Sequence, residues 1–349
     1  MKSFINKSKL IFFTLFLLGL IVSILGVFIL PERFFYDTAV LIEDKHNEIG
    51  LIGSYPFTIW FYHITGLKNL HFAIIGALQY SVVIYILYKI GIPKRFQIVN
   101  VKNVLVYLSF IILAVFLCMP SKEFINFLYL SIIVFILQKN IIFYKKIIFC
   151  LLLVFFFGIF FRPYFILVAV LTPILFLINK VKLNNKKTAI FFYGLLVTIM
   201  MSLSYGFLKG EFMSQSSREY INNIRDGGKA TNSVIVSPVD TNKWYGETVG
   251  IMYGFFSVNL PLNSFKHIFK PQIIMFIFWQ LLMLLILLIR YDKTLKKGTY
   301  KNTSLWVFNM VFSYFMIQGV FEPDLGSAIR HKMGVFPLIY FILYYDSFR

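Results

Sequence analysis

Apolar runs alternate with polar connections along almost the whole chain, and the runs are far too long for half-buried strands or amphipathic helices. They fall at about 10–30, 70–88, 104–119, 124–138, 147–161, 164–178, 188–208, 271–290, 304–321 and 333–345. A hydrocarbon core of ~30 Å takes about 20 apolar helical residues to cross. The pattern therefore predicts an all-α, polytopic integral membrane protein with about ten transmembrane helices, forming one domain over residues 1–349. Two connections are long, about 31–69 and 209–270. The first run follows Lys2, Lys7 and Lys9 and is not followed by a small-residue cleavage motif. It is expected to be a retained first helix and not a removed signal peptide.

Composition supports the membrane reading. Hydrophobic residues make up 59% of the chain, aromatics 19% and charged residues 14%, and mean hydropathy is +0.77. A soluble domain of this length has too little interior for that much apolar surface. The net charge of +19 would suggest nucleic acid in a soluble protein. Its distribution says otherwise. With the N-terminus in the cytoplasm and helices alternating, the inner segments hold 20 of the 34 Lys and Arg but only Asp292 and Asp346 among the 15 acids. The outer segments hold 14 basic residues against 13 acidic ones. This is positive-inside asymmetry. It predicts cytoplasmic termini and outward long loops, and it removes nucleic acid as a partner.

Several chemistries are absent from the pattern. No Asp, Glu, Lys, Arg or His lies near the middle of a run, where ion-coupled transporters place theirs. Gln79, Asn126, Gln280, Asn309 and Gln318 could line a pore, but helix–helix hydrogen bonding explains them equally well. Cys118 and Cys150 are expected near opposite ends of their helices, unbonded, and neither they nor the five histidines form a metal motif. No metal and no cofactor is expected. The stretch GGKAT at 227–231 lacks the earlier glycine and the strand–helix context of a nucleotide loop.

Three short outward connections carry the candidate chemistry: MPSKEF (119–124), FRPYF (161–165) and FEPDLGSAIRHKMGVFPL (321–338). From Ile147 to Ile178 only Arg162-Pro163 interrupts 32 residues. A single helix of that length would be ~48 Å long, so a hairpin with Arg162 recessed at its tip is expected. Lys122 and Glu123 occupy the tip before it, and Arg330 and His331 the last one. Three recessed cationic tips would make a shallow basin at the outer interface. Arginine forks match phosphate oxygens, so Arg162, Arg330 and Lys122, with Arg218 and Arg225 of the second long loop, are the candidate diphosphate ligands. His331, Glu123 or Asp37 could take a proton from a sugar hydroxyl. Plainer readings stand beside each: Arg162 as a hairpin anchor, Lys122 and Glu123 as an ion pair on a polar turn, His331 and Asp37 as solvated polar residues. In the first long loop Tyr55, Trp60 and Tyr62 are expected at headgroup depth. Tyr220, Trp244 and Tyr245 of the second could stack on sugar rings or simply pack.

The helix count, the large outward loop in the second half and the outward arginines resemble the Wzy-type polymerases of O-antigen and capsular polysaccharide. The segments GSAIRHKMGVFP and FRP carry most of that resemblance. It implies a multi-pass protein of the bacterial cytoplasmic membrane with its active face outward. Such a protein joins undecaprenyl-diphosphate-linked repeat units without a metal, beside the flippase and chain-length regulator of the same pathway. Asp37, or the pair Glu43-Asp44, in the first outward loop is similar to the acid of GT-C membrane glycosyltransferases, which use lipid-monophosphate sugars. A lipid-linked sugar translocase or structural envelope partner is the remaining alternative. The topology has a direct test: a reporter fused after Lys187 should read cytoplasmic, and one within 225–245 should read external.

Overall fold

Nine of the ten apolar runs each fall on one helix in the computed structural model, which describes residues 7–44, 50–181, 185–226, 233–261, 264–265, 269–297 and 302–348. No strand occurs among the described residues beyond an isolated bridge between Val234 and Asp324. The chain divides into two compact units, one of Met1–Pro163 with Arg330–Arg349 and one of Tyr164–Ile329.

The first unit contains α1 (Lys7–Ile29), α2 (Tyr36–Glu43), α3 (Ser54–Ile64), α4 (Phe72–Ile90), α5 (Val101–Phe116), α6 (Lys122–Gln138) and α7 (Phe143–Phe160). The second contains α8 (Tyr164–Ile178), α9 (Lys186–Lys209), α10 (Tyr220–Asp226), α11 (Trp244–Asn259), α12 (Pro271–Lys296) and α13 (Thr303–Phe321). The unit boundary falls within α14 (Leu325–Gly334), and α15 (Phe336–Tyr344) completes the first unit.

Six of these helices, α1, α4, α7, α9, α12 and α13, are long and apolar enough to cross a bilayer. The chain is a helical membrane protein. Leu10, Leu17, Ile21 and Phe28 of α1 are exposed on its surface, as expected where lipid is the solvent. Helix α13 is the opposite case, with 94% of its apolar window buried, because α8, α9, α11 and α12 all pack on it.

Polar side chains start the helices where the sequence offers them. Asn100 accepts from Asn103 N at the head of α5, Ser121 from Phe124 N at α6, and Asn185 from Thr188 N at α9. Each satisfies an amide that has no partner within its helix.

The connection between α5 and α6 is held from three sides. The Gln79 amide nitrogen donates to Leu117 O (2.8 Å) and Met119 O (3.1 Å), and its oxygen accepts from the Tyr62 hydroxyl. Tyr62 Oη accepts in turn from Ser121 N at 3.1 Å. Thr38 Oγ1 donates to Pro120 O at 3.1 Å. Tyr62 is fully buried inside the unit, its phenol satisfied by two polar partners there and not by solvent or lipid headgroups.

The stretch 321–338 also differs from expectation. It is not a connection but mostly helix. Asp324 caps α14, accepting from Ser327 N and Ser327 Oγ, each at 2.8 Å. Helix α14 ends at Gly334, where an added Cβ would lie 2.9 Å from Asn126 Cβ and 3.2 Å from Glu123 O. Only glycine lets the end of α14 come that close to α6. Pro337 then begins α15, so the run 333–345 is divided between two helices. At nine residues, or about 14 Å, α15 is too short to cross a membrane by itself. Cys118 and Cys150 are buried and unbonded.

Replacing Tyr62 with Phe removes the acceptor of the buried Ser121 amide. The expected loss is about 1–3 kcal/mol, read as a lower thermal midpoint of the purified protein in detergent. Trp60→Phe, at a position on the same helix that is 40% exposed, should leave that midpoint within error.

Candidate functional site

Glu123 is the second residue of α6, ahead of the apolar run 124–138, where a helix N-terminus favours a carboxylate. Its side chain is only 1% exposed. Oε1 accepts from Arg162 Nη2 at 2.8 Å and His331 Nε2 at 3.0 Å, with Arg330 Nε at 4.0 Å. The three donors come from two distant stretches of chain. Arg162 follows α7, its own amide donating to Phe157 O. Arg330 and His331 sit near the end of α14, which the close approach at Gly334 holds against the first turns of α6. Arg330 Nη2 also reaches Asp37 Oδ2, on α2, at 2.7 Å.

The cluster has a sealed part and an open part. Glu123 and Arg162 are 1% and 6% exposed, whereas His331, Arg330 and Asp37 rise to 16%, 21% and 32%. Burial by itself would raise the pKa of Glu123. Arg162 and Arg330, together with the His331 hydrogen bond, outweigh it and hold the carboxyl well below its ordinary range. A carboxylate so held is a poor general base and a good anchor for cations.

Lys122, one residue earlier, is 8% exposed. Its ammonium lies 3.5 Å from the centroid of the Tyr55 ring, at the start of α3, a cation–π seat. It makes no hydrogen bond or ion pair with another described residue. Burial pushes its pKa down to about 8, with Asp37 and Glu123 opposing and Arg162 and Arg330 adding to the fall. At neutral pH three cations thus face two carboxylates, and the site carries a net positive charge before His331 is protonated.

Six of the eight residues read from the sequence, namely Asp37, Lys122, Glu123, Arg162, Arg330 and His331, come together in the first unit. The other two, Arg218 and Arg225, lie on elements of the second unit. Arg218 belongs to the second unit and is fully buried. Its Nη1 donates to Gly250 O (3.2 Å) and Gly319 O (3.0 Å). The Gly319 carbonyl lacks its helical donor because residue 323 is proline, and Arg218 supplies one. An added Cβ on Gly254 would meet Gly319 O at 2.0 Å, so α11 and α13 lie too close there for any side chain. Arg225 is on α10, and its side chain lies outside the described residues.

Sequence reasoning missed the roles of Tyr55, Tyr62 and Gln79 because nothing in their spacing separates a ring under an ammonium from one at a headgroup. It also passed over Glu247, a buried carboxylate in the second unit that accepts from Ser202 Oγ, Ser214 N and Ser214 Oγ. No protein-family model, curated protein or solved structure matches the chain.

Glu123→Gln should leave Arg162 as a buried cation without its counter-charge, at a cost of about 3–5 kcal/mol. Adding Arg162→Met should restore part of that loss. Thermal unfolding of the wild type, the single variants and the double variant measures the coupling, and strict additivity would refute the ion pair as an energetic unit.

Proposed function

We propose that the protein is a polymerase joining polyprenyl-diphosphate-linked oligosaccharide repeat units at the outer face of a bacterial cytoplasmic membrane. The convergence of Arg162, Arg330 and His331 on a single buried carboxylate carries this reading. Ten spans with both termini cytoplasmic, α14 and α15 together making the last, would put the cluster on the outer side, the arrangement that the charge distribution along the chain favours. Helices α2 and α3, in the first long loop, and α10 and α11, in the second, would then be external. The substrate would be an undecaprenyl-diphosphate-linked oligosaccharide within membrane lipid, with the flippase and chain-length regulator of the pathway as neighbours.

In the proposed reaction a hydroxyl of the acceptor sugar loses its proton to Asp37 or His331, the more open of the titratable groups. Its oxygen bonds to the anomeric carbon of the donor sugar as the bond from that carbon to the diphosphate oxygen breaks. The electron pair leaves with the diphosphate, and the excess positive charge of the site stabilises it as it forms. Glu123 keeps the arginines and the imidazole in register throughout.

The pairing of Asp37 with Arg330 also supports a second reading, in which the acid of the first outward loop serves a GT-C-type transferase using a lipid-phosphate sugar donor. Deleting the gene and running surface glycans on a gel separates the two. Retention of a single repeat unit with loss of the ladder supports the polymerase, whereas loss of all glycan places the protein at an earlier step. Within the polymerase reading, His331→Ala should cost ~10²–10⁴-fold in turnover if the imidazole is the base. Arg330→Lys keeps the charge but loses the fork and should lower kcat more than it raises KM. Ladders of normal length from a well-expressed Arg330→Ala variant would refute the site.

A further inference from the structure

Within this cluster the two arginines are already committed to carboxylates: Arg162 lies 2.8 Å from Glu123, and Arg330 2.7 Å from Asp37. An incoming anion would have to displace those partners to use their forks. Lys122 is different. The residue is nine-tenths buried, and its ammonium makes no hydrogen bond or ion pair among the described residues and rests on the face of Tyr55. An ammonium has three donors, and a ring face restrains the cation while leaving donors on its far side.

We propose that Lys122, seated on Tyr55, is the group that receives a phosphate oxyanion in this site, with the Arg330–Asp37 pair beside it. The inference builds on the site of the proposed polymerase but concerns anion binding alone. Tyr55 is a positioning residue in it: the ring holds the ammonium in place and leaves the anion to the N–H groups. The ligand chemistry is that of a phosphate or diphosphate, carried on a lipid or free.

Charge makes the assignment distinctive. The charged and titratable groups acting on Lys122 are Tyr55 from α3, Asp37 from α2, Glu123 from α6, Arg162 after α7 and Arg330 from α14, with His331 bonded to Glu123 behind them. The arginines stay charged at any pH the protein survives. Lys122, whose pKa is pushed down to about 8, loses its proton as pH rises through that value, so an anion held by Lys122 weakens in alkali and one held by arginine does not.

The test uses the full chain in nanodiscs of zwitterionic lipid, with farnesyl diphosphate and inorganic pyrophosphate as probes, titrated from about pH 7 to about pH 9.5. For the wild type, affinity relative to Lys122→Arg should fall on the order of 10-fold or more across that interval, following the fraction of lysine still protonated. Comparison with Lys122→Arg cancels the ionisation of the probe itself. Lys122→Met should bind at least about 10-fold more weakly than wild type at neutral pH. Tyr55→Phe should keep the wild-type pH profile, and Tyr55→Leu should shift it. Tighter binding of farnesyl diphosphate than of pyrophosphate assigns the seat to a lipid-carried anion, and equal binding assigns it to the phosphate group itself. A Lys122→Met protein that is monodisperse and binds like wild type, or a wild-type profile flat with pH, overturns the proposal. Lysine-dependent binding in a protein whose deletion leaves surface glycans unchanged would keep this inference and remove the polymerase reading.

Discussion

A single carboxylate, Glu123, fixes where the first unit places its charge. Moving an ionised group out of water costs several kcal/mol, and Glu123 at 1% exposure is out of water. It remains there because Arg162 and His331 hydrogen-bond to one of its oxygens and Arg330 stands close by. The dependence runs both ways. Arg162, at 6% exposure, has no comparable environment without Glu123. The ion pair thus ties the end of α7 to the head of α6, and the imidazole and guanidinium tie the end of α14 to the same point.

That arrangement rests on uncharged support. The α6 head is positioned by Thr38, Tyr62 and Gln79, which satisfy the backbone of 117–121 where no helix can. The end of α14 approaches α6 because residue 334 is glycine. The second unit solves a similar problem with different parts. There a proline removes a donor from α13, and the buried Arg218 supplies a replacement to the carbonyl left open. In both units an irregular backbone segment inside an apolar protein is completed by a side chain, since neither lipid nor core can provide the missing hydrogen bond.

The electrostatics divide labour within the cluster. Arg162 against Glu123 and Arg330 against Asp37 are each close to neutral, and the surplus positive charge is that of Lys122. That surplus rests on a ring face and not on a carboxylate.

The sequence alone determined the solvent. Runs of apolar residues with no charge near their centres can only be helices in lipid or helices packed among such helices, and nine of the ten runs became single helices with nearly the expected bounds. It also identified the polar connections as the places where chemistry could gather, and six of the eight residues drawn from them lie in one cluster. It could not show which cation meets which acid. Arg162 and Arg330 are 168 positions apart, and their convergence depends on a packing contact at Gly334 that no local pattern encodes. The helix over 325–334 was hidden for a related reason: its polar residues read as a turn, and only the contacts of its last turn with α6, at Gly334 and Glu123, show why they belong to a helix. Tyr55 and Tyr62 have similar aromatic surroundings in the sequence, yet one lies under an ammonium and the other is sealed against Gln79 and Ser121. Hydropathy reports how much of a residue prefers to leave water. Only the tertiary structure decides which neighbours it meets there, because those neighbours come from other helices.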